Sequence, residues 1–384
     1  MSGQKTDSSI FAQLEQRRQA LVAQGREVTN LSIGTPDFEP GQHVMQAVAQ
    51  AALRPENYRY AVNDLPQLKE AVQAWYQRRY GVDLQMDEIM SVYGSQEGIA
   101  HVSFPFIQRG DVVLAPDPGY PIFTYGPRMA GAEIARMPLL EEKDYKIDFD
   151  AIDPAVADRA KMMVVSYPAN PVTATADGDF YERLVHFAKK HDILVVHDNA
   201  YSDLVLEGEP GISFLSIPGA KEVGVEFNSL SKTYNLTGAR VSFCLGNREM
   251  IEKFQGLRSQ IDYGMYLPVQ YGAIAALTGP QDIVQRNRDR YRSRSHALCG
   301  GLRRIGWHVP DSKATMFVWA KIPAGFDDSV QFALELIDRA GFICVPGDSF
   351  GPLGKGYVRL ALVADEEELA RAIDRIDRSG MLRR

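Results

Sequence analysis

Cysteine is scarce: Cys244, Cys299 and Cys344 are the only three in 384 residues. Their number is odd, their spacing wide, and no Cys-x-x-Cys pair occurs. That excludes a zinc knuckle and a thioredoxin-like motif, and it fits reduced thiols in the cytoplasm. Basic charge is also short. Forty-two Lys and Arg face 49 Asp and Glu, for a net charge of −7. A globally basic polyanion binder is excluded, although a local basic patch is not, and nucleic acid is not an expected partner. No apolar run reaches the roughly 18 residues of a membrane span, and residues 1–18 lack the apolar core of a signal peptide. Internal repeats and low-complexity tracts are missing. Among the seven histidines, His186, His191 and His197 lack metal-ligand spacing, and His197 reads as a strand-end packing residue. The glycine-rich run Gly351–Gly356 has no terminal Ser or Thr, so it is not a P-loop; it reads as a loop before a strand.

What is present is the balance of a globular protein: 45% hydrophobic and 24% charged residues. The length suits two or three domains with a large core. Short apolar, β-branched runs predict strands at Ile89–Tyr93, Val112–Ala115, Ala132–Met137, Met162–Ser166, Ile193–His197, Val223–Asn228 and Val241–Leu245. Most are nearly continuous apolar runs, as in strands covered on both faces. Amphipathic stretches lie between them. Asp64 is placed to cap a helix that carries Leu65, Leu68, Val72, Trp75 and Tyr76 on one face and closes at Gly81. Asp179 and Glu182 resemble a capping box ahead of Leu184, Val185 and Ala188. The alternation predicts an α/β fold with a seven-stranded, mostly parallel sheet over residues 42–280. From residue 281 the texture changes to a long charged helix, Gln281–Arg304, then strands at Met316–Ile322 and Tyr357–Leu362 and helices near Ser329–Ala340 and Glu366–Arg378. That reads as a smaller α+β domain over 281–384. Residues 1–41 are too few for a domain and are expected to pack on the small domain or on a partner subunit. Ile10, Phe11 and Leu14 suit either that packing or an apolar lid.

Ligands of open α/β sheets sit beyond the carboxyl ends of the strands, so the residues that follow each strand carry the functional signal. Ser229-Leu-Ser-Lys232 follows one strand, with Gly238-Ala-Arg240 close behind. A loop lysine is ordinarily a solvated charge. Flanked by hydroxyls and an arginine, Lys232 suits a phosphate-bearing ligand, and neighbouring cations lower its pKa and favour Schiff-base chemistry. Asp198 ends another strand. It is either a turn cap or the partner of a protonated pyridine nitrogen. Pro168-Ala-Asn170-Pro171 is either a plain turn or a stiff mount for an Asn amide. Gly94-Ser95-Gln96-Glu97-Gly98 opens a helix whose N–H groups suit a phosphate. Asp117-Pro-Gly-Tyr120-Pro121 is a rigid turn carrying a ring able to stack on a planar cofactor. Each motif is weak alone; five in this order, each after a predicted strand, are not.

Together with Asn30-Leu-Ser-Ile-Gly-Thr-Pro-Asp37, Arg59-Tyr-Ala61, Asp198–Tyr201 and Tyr357-Val-Arg-Leu360, this set resembles the class I/II aminotransferases, pyridoxal 5'-phosphate enzymes of fold type I. The resemblance spans positions 30–360. Glu226-Phe-Asn-Ser-Leu-Ser-Lys-Thr-Tyr-Asn235, Ile261-Asp-Tyr-Gly264 and Lys313-Ala-Thr-Met-Phe-Val-Trp319 are similar to the bacterial LL-diaminopimelate aminotransferases and related alanine transaminases. The resemblance implies a ping-pong aminotransferase. Lys232 is then the Schiff-base lysine and proton shuttle, and Asp198 pairs with the pyridine nitrogen. Tyr201 and Asn170 bond the ring O3', and Tyr120 stacks on the ring. Ser95, Gln96, Ser229, Ser231 and Arg240 hold the phosphate. Tyr60 reaches the neighbouring subunit's site in a homodimer, Arg359 forks onto the substrate α-carboxylate, and the backbone at Gly34 approaches the substrate. The implied lead pair is LL-diaminopimelate with 2-oxoglutarate. The alternatives are an alanine, aromatic or aliphatic transaminase or a carbon–sulfur β-lyase. Regulators that use this fold carry a fused DNA-binding domain, for which the residues before Gly34 leave no room. Gln96 departs from the lysine common in close relatives and removes a positive charge near the site. Ala239 replaces a frequent tryptophan beside the retained Arg240.

Overall fold

The protein's structure, a computed structural model, describes residues 8–383. Its main sheet is built from β1 (Ile89–Val92), β2 (Val112–Asp117), β3 (Glu133–Pro138), β4 (Ala160–Ser166), β5 (Leu194–Asp198), β6 (Gly224–Ser229) and β7 (Ser242–Gly246). Their spatial order is β1-β7-β6-β5-β4-β2-β3. The pairs from β6 through β3 are parallel, whereas β7 runs against both β1 and β6. The predicted strands match these to within two residues. The apolar runs are long because both faces are covered. On β4, Met163 and Val165 enter one core while Met162 and Val164 enter the core on the other face, the period-two alternation of a strand.

A three-stranded antiparallel sheet stands apart, in the order β9 (Val345–Pro346), β10 (Tyr357–Ala361), β8 (Phe317–Lys321). With it pack the 23-residue helix Asp282–Arg304 and the helices Ser329–Ala340 and Glu366–Ser379, around a core that includes Trp307, Phe332, Leu336 and Leu360. The first helix, Ser8–Ala23, sets Ile10, Leu14 and Leu21 against Ile337 and Ile343. These residues therefore pack on the smaller sheet's helix. The Phe11 side chain lies outside the described residues.

Two helix starts differ from expectation. Asp64 does not cap the helix Pro66–Tyr80; its carboxylate accepts hydrogen bonds from the Ser91 backbone N–H (2.9 Å) and hydroxyl. The Leu65 N–H is met by Gln270 Oε1 at 2.8 Å, and Pro66 needs no cap because it has no N–H. Gly81 does close that helix, at φ 67°. The helix Gly178–His191 is capped by Asp177, which accepts from the Phe180 N–H at 3.0 Å, so Asp179 falls in the first turn rather than at the cap. With two aspartates two residues apart, either offers the same capping chemistry, and the chain entering from Ala176 selects the first.

Candidate active site

The carboxyl ends of β4, β5 and β6 meet the smaller sheet across one cavity. It is lined by Gly34, Ser95, Gln96, Tyr120, Asn170, Asp198, Tyr201, Ser229, Ser231, Lys232, Arg240 and Arg359. Every site residue expected from the sequence is in that wall except Tyr60, which lies on the surface, 80% exposed, with its ring 4.7 Å from that of Tyr263. Topology explains the gathering. β1 and β6 point the same way, so both deliver the residues after them to one edge; β7 is antiparallel, so the residue before it, Arg240, arrives at that edge too.

At one end of the cavity the chain leaves β1 through Gly94, at φ 91°, and enters the helix Ser95–Val102. A Cβ on Gly94 would lie 2.0 Å from Arg240 Nη2, so glycine is required both by the positive φ and by the guanidinium pressed against it. Arg240 itself is left-handed, at φ 58°, a conformation that costs a non-glycine residue about 1–2 kcal/mol. Its guanidinium donates to Thr237 O (2.8 Å) and Tyr93 O (3.3 Å). Ser229 and Ser231 flank the same end, where Ser229 Oγ accepts from the Ser231 N–H at 3.1 Å. The Tyr120 hydroxyl donates to Gln96 Oε1 at 2.9 Å, which holds the ring against the cavity wall.

Asp198 stands deeper, 8% exposed, and its Oδ1 is buried with no hydrogen-bond partner among the described residues. Burial raises its pKa to about 7, the Ala200 backbone N–H opposes the rise, and the Glu226 charge adds to it. Lys232 donates from Nζ to Gly34 O. Burial, then repulsion from Arg359 and Arg240, lowers its pKa to about 8. Its amine is thus partly neutral near pH 8, the form that attacks a carbonyl or accepts a proton. Burial also raises the Tyr201 phenol.

Arg359, at the centre of β10, is 6% exposed. Its Nη1 donates to Asn170 Oδ1 (2.9 Å) and its Nη2 to Ser32 O (3.0 Å). The guanidinium lies 4.1 Å from the Phe317 ring centre and 4.7 Å from that of Phe350. Burial lowers its pKa to about 10, so it stays cationic, and its Nε is buried without a partner among the described residues. A planar cation clamped between two rings with open donors suits a carboxylate.

Sequence reasoning missed Phe317, Thr237, Ile99, Ile122 and Ala200, which also line the cavity. Phe317 carried no local signal; only in the structure do the Gly34 motif and the Lys313–Trp319 stretch meet, where a Cβ on Gly34 would lie 2.4 Å from the Phe317 ring.

An open α/β sheet with a lysine, an unpartnered carboxylate and a carboxylate-ready arginine at its carboxyl edge defines a class of group-transfer enzyme. The chain belongs to the class I and II aminotransferases, whose family model matches residues 26–376, and it is an aminotransferase. It is 42% identical to the LL-diaminopimelate aminotransferase of Moorella thermoacetica, covering 96% of this chain and 95% of that one. It is 38% identical to the enzyme of that name from Aquifex aeolicus, with the same coverage. Among solved structures, substrate-bound BacF from Bacillus subtilis superposes with a TM-score of 0.92 at 35% identity, covering 98% of both chains. A probable N-succinyldiaminopimelate aminotransferase from Thermus thermophilus superposes at 0.91, also at 35% identity, covering 96% of this chain and 100% of that one.

The raised Asp198 pKa has a stability consequence. Between the unfolded value near 3.9 and about 7, the folded cofactor-free protein holds a proton that the unfolded chain has released. Its stability therefore falls as pH rises through this window. Asp198→Asn removes that fall. Urea denaturation of the two cofactor-free proteins should show the variant gaining on the wild type from pH 5 to pH 8; a constant difference would contradict the buried, protonated carboxyl.

Proposed function

We propose that this aminotransferase uses pyridoxal 5'-phosphate to move an amino group between an L-amino acid and a 2-oxo acid in two half-reactions, with LL-diaminopimelate and 2-oxoglutarate as its lead pair. The observation that carries the cofactor reading is the unpartnered Asp198 Oδ1, set in the same cavity as Lys232, Arg240 and Arg359. A buried acceptor without a donor is costly, and a protonated ring nitrogen supplies that donor. When bound, the cofactor supplies an electron sink for the pair left at the substrate Cα.

The residues divide the remaining work. Arg240, Ser95, Gln96, Ser229 and Ser231 hold the phosphate at the Gly94 end. Asn170 already spends its oxygen on Arg359, so its Nδ2 is left for the ring O3', beside the Tyr201 hydroxyl. Tyr120 lies along the ring. Arg359 binds the substrate α-carboxylate and fixes the Cα–H bond relative to Lys232. Lys232 Nζ, partly neutral near pH 8, would accept the Cα proton and hold it for return. Gly34, its Cβ position occupied by Phe317, brings backbone close to the substrate, while Phe317 and Phe350 keep water from the Arg359 contact.

The LL-diaminopimelate assignment rests on the relatives' names and on the stretches around Glu226–Asn235 and Lys313–Trp319. A homodimer with shared sites is part of the same reading. Tyr58, Tyr60, Val62, Tyr263 and Tyr266 form an exposed, mostly aromatic patch, stiffened by the bridge between Ala61 and Gly264. A second copy would cover it and receive Tyr60. We further read the chain as an N-terminal segment (1–41), a cofactor-binding domain (42–280) and a small domain (281–384). A cytoplasmic location is consistent with three free, buried cysteines.

The substrate test is spectroscopic. Protein loaded with pyridoxal phosphate is mixed with one amino acid and no acceptor. Loss of the cofactor's visible band should be fastest with LL-diaminopimelate, and 2-oxoglutarate should restore it. Loss only with alanine or aromatic donors would replace the lead substrate. Pyruvate release from cystathionine with the band unchanged would move the chain to the β-lyases.

Arg359→Ala should raise KM about a hundredfold for every donor, the scale of losing one partner of a buried charged contact. A loss confined to one donor would place Arg359 on a side chain rather than on the α-carboxylate.

A further inference from the structure

Glu226 is a wholly buried carboxylate on β6 that has no part in the mechanism above. The register pairs His197 with Glu226 and Asp198 with Phe227. Strand alternation therefore puts Glu226 and His197 on one face of the sheet and Asp198, with the cavity, on the other. Five donors meet Glu226. Its Oε1 accepts from the Tyr76 hydroxyl (2.8 Å), Ser213 Oγ (2.7 Å) and Asn199 Nδ2 (3.1 Å). Its Oε2 accepts from the Phe214 N–H at 2.8 Å and meets His197 Nδ1 at 2.9 Å. Burial alone would favour the protonated acid. The His197 contact and the other donors outweigh it and hold the pKa below the ordinary carboxylate value, so the group is an anion.

Two of these five contacts come from the residues on either side of Asp198. His197 is further held through Nε2, 3.0 Å from the Tyr181 hydroxyl, and the Asn199 backbone N–H donates to Phe227 O at 2.8 Å. A buried charge is weak evidence for stability, because apolar residues of similar volume fill such a space at no greater cost. The network runs on through the Tyr76 hydroxyl to Asn228 at 3.0 Å and through His197 to Tyr181, on a face of the sheet whose core is otherwise largely apolar. What an apolar replacement could not do is bind both neighbours of the cavity carboxylate at once.

We propose that Glu226 is a positioning residue: by gripping His197 and Asn199 from the far face of the sheet, it aims the Asp198 carboxylate at the cofactor's protonated ring nitrogen. This rests on the cofactor reading given above. The Glu226 charge also disfavours ionised Asp198 on its own, so it strengthens Asp198 as an acceptor for a cation.

The test compares two ligands: pyridoxal phosphate and the analogue with C–H in place of the ring nitrogen, which offers Asp198 nothing. Equilibrium affinities are measured by fluorescence titration of the full-length cofactor-free protein, with melting temperatures recorded in parallel. Glu226→Gln should weaken pyridoxal phosphate about tenfold, a typical coupling within one buried network, and leave the analogue at its wild-type affinity. Equal losses for both ligands, or no loss for either, would overturn the proposal and leave Glu226 as a structural group. If Glu226→Gln does not fold, Asn199→Ala cuts one of the two grips and leaves the other four donors on Glu226, and the same ligand-selective loss, about threefold, is expected of it. A wild-type protein that binds both ligands equally would refute the Asp198 pairing itself, a different failure that removes the proposal with it.

Discussion

Buried charge without a counter-charge is the constraint around which this structure is arranged. Asp198 and Arg359 are both almost fully buried, and neither is ion-paired among the described residues, although opposite charges share one wall. Lys232 joins them, tied among the described residues to a backbone carbonyl. Left alone, such groups shift their pKa values toward neutrality, as Asp198 and Lys232 do. The arrangement becomes favourable when a ligand brings a proton-bearing nitrogen to Asp198 and an anion to each arginine. The protein keeps its charges apart and in register for a molecule with those features in that order.

The scaffold supplies the register. The main sheet delivers Asp198 and Ser229 from the ends of two adjacent parallel strands, so their spacing is set by a backbone ladder, while Asn170 follows in the loop just beyond the end of the next strand, β4. Arg359 comes from the other sheet, and the N-terminal segment joins the two. Leu31 donates to Ile343 O at 2.9 Å and accepts from the Ala361 N–H at 2.8 Å; Ser32 O holds Arg359 and Gly34 O holds Lys232. A little further on, Asp37 pairs with both terminal nitrogens of Arg294 at 2.7 Å. A short stretch of chain thus touches both the Lys232 amine and the Arg359 guanidinium and ties their positions together. Its glycine is where the ring of Phe317 leaves no room for a Cβ.

Much of this was legible in the sequence, for reasons that also explain what was not. Buried parallel strands write themselves as apolar runs, so their bounds and the motifs after them were readable. Lys232, Asp198 and the Gly94 turn stood out because polar residues interrupt those runs at fixed places. Arg359 was readable only through family likeness, since an arginine inside a strand has no local signature. The helix start at Asp64 misled because tertiary partners intervene, Ser91 binding the Asp64 carboxylate and Gln270 meeting the Leu65 N–H, and the one at Asp179 misled because Asp177, two residues earlier, offers the same capping group. Tyr60 could not be placed from one chain. Phe317, Phe350 and Glu226 were silent because an apolar ring, in a strand or in a short turn, reads as core, and a buried carboxylate reads as a surface charge until its five donors are seen.

One lysine, Lys232, carries the proposed chemistry because the fold lowers its pKa inside this cavity. Borohydride reduction of the protein loaded with pyridoxal phosphate, followed by proteolysis and mass spectrometry, reads that directly. The phosphopyridoxyl group should be found once per chain, on the peptide bearing Lys232. A label spread over several lysines, or fixed on a different one, would contradict the account.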